Sequence, residues 1–195
     1  MIGIQANSRR LNDHSLPVRV NYNEPNAAEK IASSVTALIT GYEPEYRELL
    51  RMILCIGSDR STGDALGPLV GNHLAKLQLP RTIVLGTLAE PVHALNLETY
   101  LNQLEKDGGR SLIIAVDASL GKLGSVGIVE VGRGPLHPGA GVNKKLPPVG
   151  HIYLSGIVNL GGFMEQMVLQ STRLFHVMEL ARVISSGLQR TLSEV

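Results

Sequence analysis

The sequence has little of several features that mark particular classes of protein. It contains one cysteine, Cys55, so an intramolecular disulfide framework is excluded and a reducing, intracellular setting is expected. No apolar stretch approaches the roughly 18 residues that a membrane-spanning helix needs, and the first residues lack the apolar middle of a signal peptide. We therefore expect a cytoplasmic protein with no membrane partner.

Charge is also scarce, and it is balanced. Charged residues make up 18% of the chain, and 18 Lys and Arg against 17 Asp and Glu give a net charge of +1. Proteins dedicated to nucleic-acid binding carry a basic surface, so no nucleic-acid partner is expected. Hydrophobic residues make up 44% of the 195 residues, which is enough for the core of one domain.

The spacing of the apolar residues predicts alternating strands and helices. Residues 1–24 are polar and unperiodic, and we expect a poorly ordered N-terminal arm there, followed by a single domain over residues 25–195. Strands are predicted from apolar runs, at residues 52–57, 82–86, 111–118, 124–132 and 151–158. Helices are predicted from a period of 3.6 residues, at residues 28–39, 66–77, 92–104 and 174–184.

These elements predict a fold class. Apolar strands joined by helices indicate a parallel sheet that is covered on both faces, whereas the short turn before residues 124–132 permits an antiparallel pair. The expected fold is an α/β three-layer α/β/α sandwich with a mixed, mostly parallel sheet of about five strands. His73 shares the apolar side of its predicted helix, so we expect it to be buried in the core.

The stretch LCIGSDRSTGDALGPLVG, residues 54–71, carries the densest chemistry in the chain. It lacks the glycine spacing of a dinucleotide-binding loop and the lysine of a P-loop, so a phosphate site is not expected. Asp64 lies at a strand-to-helix turn, and Asp117 closes the third predicted strand. Ligands of open α/β sheets bind beyond the carboxyl ends of the strands. If the first strand lies between the second and the third, the two aspartates face each other across that crevice.

Each aspartate also has a structural explanation that involves no chemistry. Asp64 is placed to act as a helix N-cap, which accepts hydrogen bonds from amides of the first turn. Asp117 follows a buried strand with no helix directly after it, so it has no capping role, and binding of loop amides is its alternative.

Three segments of the chain resemble a known family. They are CIGSDRSTGDALGPLVG, VDASLG at residues 116–121 and GHIYLSGIVNLGGFMEQMVLQSTRL at residues 150–174, and they resemble the YyaC family of sporulation proteins. That family is similar, more weakly, to the spore germination endopeptidase that degrades small acid-soluble spore proteins. The weaker link rests on TGDALGP at residues 62–68, on the Asp117-Ala118 strand end and on HPGAGVNK at residues 137–144.

The resemblance implies a fold and a catalytic pair. In the endopeptidase, the aspartates that match Asp64 and Asp117 are regarded as catalytic, and the implied fold is that of the hydrogenase maturation proteases, which place two acids and a histidine around a metal. The chain is much shorter than the endopeptidase, its segment after Lys145 is compressed, and residues 1–24 match no activation segment.

The implied function is a sporulation-associated peptidase that hydrolyses peptide bonds with a carboxylate pair. Two neighbouring carboxylates share a proton, so one activates a water molecule while the other protonates the leaving group. The expected partner is a protein or peptide substrate, with small acid-soluble spore proteins as candidates, in the sporulating cell or forespore. Thr62, His137, Asn143 and Lys144 are the expected supporting residues, the last two as groups that polarise a carbonyl.

Two alternatives stay open at this point. In the first, a divalent metal ion activates the water and is held by Asp64, Asp117 and His137, with His151 as the second choice of histidine. The carboxylate-pair mechanism needs no cofactor. In the second, a non-enzymatic sporulation protein uses the same fold to bind a partner. The sequence indicates no oligomeric state.

Overall fold

The computed structural model describes residues 16–42, 49–106, 111–139 and 146–194. The strands in these ranges are β1 (Val18–Asn21), β2 (Leu50–Cys55), β3 (Thr82–Leu85), β4 (Ser111–Gly121), β5 (Ile128–Arg133) and β6 (Ile152–Leu160). The helices are α1 (Ala27–Thr40), α2 (Leu66–Leu74), α3 (Leu97–Lys106), α4 (Glu165–Gln170) and α5 (Leu174–Glu194).

The strands form one mixed sheet in the order β1-β5-β6-β4-β2-β3. The pairs β2–β3, β2–β4 and β4–β6 are parallel, and β5 runs antiparallel to β6. Two predictions are thereby confirmed, because the first apolar strand, β2, lies between the second and third, and the strand after the short turn is antiparallel. The sheet has six strands in the described residues, where about five were expected.

The additional strand is β1, which corrects the predicted N-terminal arm. Residues Val18–Asn21 pair antiparallel with β5 at the edge of the sheet. Val20 is fully buried, and the Tyr22 hydroxyl lies 2.7 Å from Nδ1 of His176. The boundary predicted at residue 24 is therefore wrong for this segment. A strand of four residues is too short for the apolar pattern to stand out, and it becomes a strand because β5 offers an unpaired edge. Residues 1–15 lie outside the described residues.

Helices cover both faces of the sheet, which confirms the three-layer α/β/α fold. On one face α1, α2 and α5 pack over a core that includes Ile53 and Ile114. On the other face, α3 packs against Leu54 and Ala115. Residues of the β5–β6 connection, such as Leu136, belong to the same core. Alternate residues of one strand thus enter opposite cores. Each fully buried leucine or isoleucine side chain stabilises the fold by about 1.5–3 kcal/mol.

The prediction for His73 is wrong, because this residue is exposed. The helix α2 approaches the sheet through Gly67 and Gly71, where an added Cβ would lie 2.0 Å from the Ile56 carbonyl oxygen and 2.2 Å from that of Gly86. The prediction relied on the spacing of large apolar side chains and gave no weight to glycine. Because α2 contacts the sheet through its glycines, the predicted buried side of the helix wrongly included His73.

In the part of the chain that the structure describes, no helix is both long and apolar enough to cross a membrane.

Candidate active site

The turn that carries Asp64 is held together by its backbone. Where β2 leaves the sheet, the Ile56 amide donates to the Val116 carbonyl at 2.7 Å and the Gly57 amide donates to the Val92 carbonyl at 2.8 Å. Gly57 has a φ of 140°, a backbone angle that residues with a side chain rarely adopt. A Cβ added at Gly57 would lie 2.0 Å from the Asp64 carbonyl oxygen. The position of Asp64 therefore follows from backbone contacts that only glycine permits.

Asp64 does not cap a helix. It lies inside a 3-10 turn, Gly63–Ala65, directly before α2, and its own carbonyl accepts from the Ser58 amide at 3.1 Å. The residues at the N-cap positions of the turn and of α2 are Thr62 and Ala65, and neither makes a side-chain capping hydrogen bond. The capping prediction is therefore wrong, and the carboxylate needs another explanation.

Asp117 lies at the point where β4 loses one of its neighbours. The last β2–β4 pair is Cys55 with Val116, whereas β4 continues to Gly121 beside β6 alone. The side chain of Asp117 is thus next to the space that β2 vacates as it turns at Gly57. Asp117 is 7% exposed, and its Oδ1 accepts a hydrogen bond from the Ala118 amide at 2.8 Å. This is the one hydrogen bond to its carboxylate within the described residues.

Both aspartates line one cleft of about 330 Å³ at the carboxyl ends of the parallel strands. The walls come from the turn after β2, from the loop between β3 and α3, from residues 117–120 of β4 and from α4. Pro138, Gly139 and Leu146 close another side, so the connection between β5 and β6 returns across the sheet to the cleft. The tertiary structure thus brings together two carboxylates that are far apart in the sequence.

The two carboxylates lie in different environments. Burial, together with the negative charge of Asp64, raises the pKa of Asp117 well above its ordinary value of 3.8, and the Ala118 amide only partly opposes this. Burial also raises the pKa of Asp64, but the Ser58 amide and the neighbouring His93 oppose the rise. Asp64 is also partly accessible, whereas Asp117 is buried. When the pair holds one proton, that proton belongs on Asp117.

The two predicted supporting residues that the structure describes, Thr62 and His137, do not line the cleft. Thr62 is absent from the residues that line the cleft, and its carbonyl accepts from the Ala65 amide at 3.3 Å. His137 is exposed and does not line the cleft, although the two residues after it do. Asn143 and Lys144 lie outside the described residues.

The second histidine proposed as a metal ligand lies at the wrong end of the sheet. His151 directly precedes β6, and its Nδ1 accepts a hydrogen bond from the Ile113 amide at 3.0 Å, near the start of β4. Over residues 16–42, 49–106, 111–139 and 146–194, no group of three or more His, Cys, Asp or Glu is placed to hold a metal ion. The ligand set predicted for a divalent ion does not fit this arrangement.

Sequence reasoning overlooked the histidine that does line the cleft, His93. It lies eight residues beyond β3, in a loop with no regular structure. An isolated parallel bridge between Ile56 and Val92 brings this loop beside the turn that carries Asp64. The one available signal was that the loop follows a parallel strand, as the loops that carry both aspartates do.

Comparisons with known proteins identify the family of the chain. Residues 19–187 match the model of the family described as "Protein of unknown function (DUF1256)". The chain is 54% identical over 140 residues to the Bacillus subtilis (strain 168) protein described as "Uncharacterized protein YyaC", which covers 72% of this chain and 68% of that protein.

A solved structure shows a more distant likeness. The [NiFe] hydrogenase maturation protease HycI from Thermococcus kodakarensis KOD1 superposes with a TM-score of 0.41 and 16% sequence identity, over 77% of this chain and 97% of that one. At that score the likeness carries no functional argument. The match over residues 19–187 and the 54% identity are sufficient for the family: the chain belongs to the YyaC (DUF1256) family.

Proposed function

We propose that this protein is a peptidase in which Asp64 and Asp117 hydrolyse a peptide bond without a covalent intermediate. The observation that carries the proposal is the shared cleft, in which a buried carboxyl group with a raised pKa lies opposite a more accessible carboxylate. Pairs of acids whose environments separate their proton affinities are typical of general acid–base catalysis.

The environments assign the two roles. Asp64 is the more accessible group, and it is the general base that takes a proton from a water molecule in the cleft. Asp117 keeps its proton because ionisation would place a second negative charge in a buried position beside Asp64. It is the general acid that protonates the departing amine.

The reaction balances with these two groups. As Asp64 removes the proton, the water oxygen bonds to the carbonyl carbon, and the electron pair of the C=O bond moves onto its oxygen. When the tetrahedral intermediate collapses, the C–N bond breaks and the nitrogen takes the proton of Asp117. Asp64 then carries a proton and Asp117 is ionised, and exchange with solvent restores the starting state.

The family resemblance and the shape of the site support the proposed substrate class. The cleft is open on one side, and it is lined by both apolar and polar residues, as a site for a polypeptide segment would be. Small acid-soluble spore proteins are therefore the substrate to test first, and the sporulating cell is the proposed setting.

The test is incubation of the purified protein with small acid-soluble spore proteins, beside Asp64→Asn and Asp117→Asn variants. Each variant should lose about 10²–10⁴-fold in kcat/KM, which is the usual contribution of one acid or base. Asp59→Asn is the matched control, because Asp59 lies on the same turn but is exposed and does not line the cleft.

The outcomes separate the alternatives. Equal cleavage by all four proteins, or none by the wild type, contradicts the proposal. Binding of the spore protein without cleavage would instead identify a non-enzymatic partner-binding protein. A parallel reaction with a chelator distinguishes the two hydrolytic mechanisms, because loss of activity that a divalent ion restores would overturn the carboxylate pair acting alone.

A further inference from the structure

His93 lines the cleft together with the two aspartates and the exposed Arg60. The loop that carries His93 holds it in place. Its backbone amide donates to Oδ1 of Asn96 at 2.8 Å, and Nδ2 of Asn96 donates to the Pro91 carbonyl at 3.0 Å. The Val92 carbonyl accepts from the Gly57 amide at 2.8 Å, which fixes the loop to the turn after β2. The histidine is therefore a preorganised part of the site and not a mobile surface residue.

One hydrogen bond decides which ring nitrogen carries the proton. The Leu95 amide donates to Nδ1 of His93 at 3.3 Å. An amide N–H can only donate, so Nδ1 accepts, and the neutral imidazole carries its hydrogen on Nε2. Nε2 has no hydrogen-bond partner in the part of the chain that the structure describes. The ring thus presents an N–H donor on the side opposite its own loop.

The proposed hydrolysis needs such a donor. Attack by water places a negative charge on the carbonyl oxygen, and both aspartate protons are in transfer during the reaction, since Asp64 takes one from the water and Asp117 gives one to the leaving nitrogen. A separate donor that keeps its hydrogen throughout stabilises the oxyanion without using either of these protons. A fixed donor at that oxygen is commonly worth a factor of about 10²–10³ in kcat. Arg60 also lines the cleft, but its side chain is exposed and lacks the supports that hold His93.

We propose that His93 is a further catalytic residue, whose Nε2–H donates to the carbonyl oxygen of the scissile peptide and holds the oxyanion of the tetrahedral intermediate. The inference rests on the proposed peptidase function. No bond to His93 forms or breaks, and its proton stays on Nε2 throughout. The residue acts as a neutral hydrogen-bond donor, a role that the metal-ligand alternative does not include.

The test compares His93→Leu, which removes the donor, with His93→Gln, which keeps an N–H donor of different reach. On a small acid-soluble spore protein, His93→Leu should lower kcat by about 10²–10³-fold with KM within about threefold, and His93→Gln should lower it less. His73→Leu, on the exposed side of α2, is the matched control and should retain wild-type kcat. An unchanged kcat in His93→Leu, or a change confined to KM, overturns the inference.

A second measurement keeps the inference testable if the wild type cleaves nothing. The ¹⁵N resonances of His93 should show hydrogen on Nε2 and none on Nδ1 at neutral pH. Addition of an N-acetyl dipeptide amide at millimolar concentration should shift the Nε2 resonance in the wild type. Failure of cleavage with this shift present contradicts the peptidase reaction but supports the donor. Hydrogen on Nδ1, or no shift, contradicts the donor whatever the protein cleaves.

Discussion

The two ends of the parallel strands treat buried titratable groups in opposite ways. At the carboxyl end, the Asp117 carboxyl group accepts one hydrogen bond within the described residues, although it is almost completely buried. At the amino end, His151 accepts from the Ile113 amide through Nδ1 and donates its own amide to the Ile113 carbonyl at 2.8 Å. The carboxyl end thus contains a buried carboxyl group with few hydrogen bonds, whereas at the amino end the buried histidine and its neighbours are hydrogen-bonded to each other.

The amino end is also reinforced by neighbouring side chains. The Tyr42 hydroxyl donates to the His151 carbonyl, and the Arg133 guanidinium lies 4.1 Å from the centre of the Tyr42 ring. Nη2 of Arg133 donates to the Gly41 carbonyl at 3.0 Å, so the end of α1 is tied to the sheet. The difference teaches that burial alone does not mark a functional group. An incompletely satisfied buried group beside a cleft does so better.

Replacing Asp117 should give the largest change in stability. Its folded pKa is raised above 3.8, so the native state binds more protons than the unfolded state, and stability falls as the pH rises from about 4. Asp117→Asn should therefore raise Tm at pH 7. Each unit of the pKa difference corresponds to about 1.4 kcal/mol, or a Tm change of about 3–6 °C. Thermal melts followed by circular dichroism measure this.

The gain should disappear as the pH approaches 3.8, because Asp117 is then protonated in both states. The exposed Asp59→Asn serves as the control and should change stability by less than about 0.5 kcal/mol at any pH. A loss of stability in Asp117→Asn at pH 7 would show that the carboxyl group stabilises the fold, and the contrast between the two ends would be lost.

Replacing His151 should have a smaller effect of opposite sign. His151→Leu leaves the Ile113 amide without its side-chain acceptor, and at pH 7 this should cost about 1–3 kcal/mol of unfolding free energy. Burial lowers the pKa of His151 below 6.5, so the wild type itself loses stability as the pH falls below that value. The difference between the variant and the wild type should therefore shrink toward pH 5, as urea titrations at several pH values would measure.

The exposed His73→Leu controls for the loss of a histidine, and both variants should keep wild-type activity because neither residue lines the cleft. If kcat per folded molecule falls in His151→Leu, the amino end of the sheet influences the site, and the contrast between the two ends is wrong.

Tyr42→Phe should give the smallest effect. It removes the hydrogen bond to the His151 carbonyl but keeps the ring under Arg133, so the cost should be about 0.5–1.5 kcal/mol. Tyr100→Phe is the control, since the Tyr100 hydroxyl has no hydrogen-bond partner among the residues described. Urea denaturation distinguishes the two, and an equal effect of both would mean that the hydroxyl of Tyr42 adds nothing.

Much of the fold follows from the sequence, because the pattern that predicts it is local. The apolar runs around Ile53 and Ile114 and the periodicity of α1 and α5 report directly on what each element buries. The strand order enters the sequence analysis as a condition, the common arrangement of doubly wound sheets, and the structure confirms it. With that order, Asp64 and Asp117 are expected to face each other across the crevice, and both line one cleft.

The rest depends on contacts that no local pattern contains. His93 reaches the cleft through one bridge, between Ile56 and Val92, and its loop has no periodicity. The sequence predicts His137 and His151 as ligands from the segments in which they lie, yet His137 is exposed and His151 directly precedes β6, at the amino end of the sheet. Likewise, β1 exists because the edge of β5 is available to it.

The glycine contacts beneath the site have a consequence for how its members diverge. Gly57 packs against the backbone of Asp64, Gly67 packs against the backbone of Ile56 directly after β2, and neither contact involves the carboxylate of Asp64. The scaffold therefore tolerates loss of the acids. A related chain could exchange both aspartates, lose the proposed hydrolysis and keep the same fold. Within the family, the residues at positions 64 and 117 would then distinguish members that carry the proposed activity from members that share only the fold.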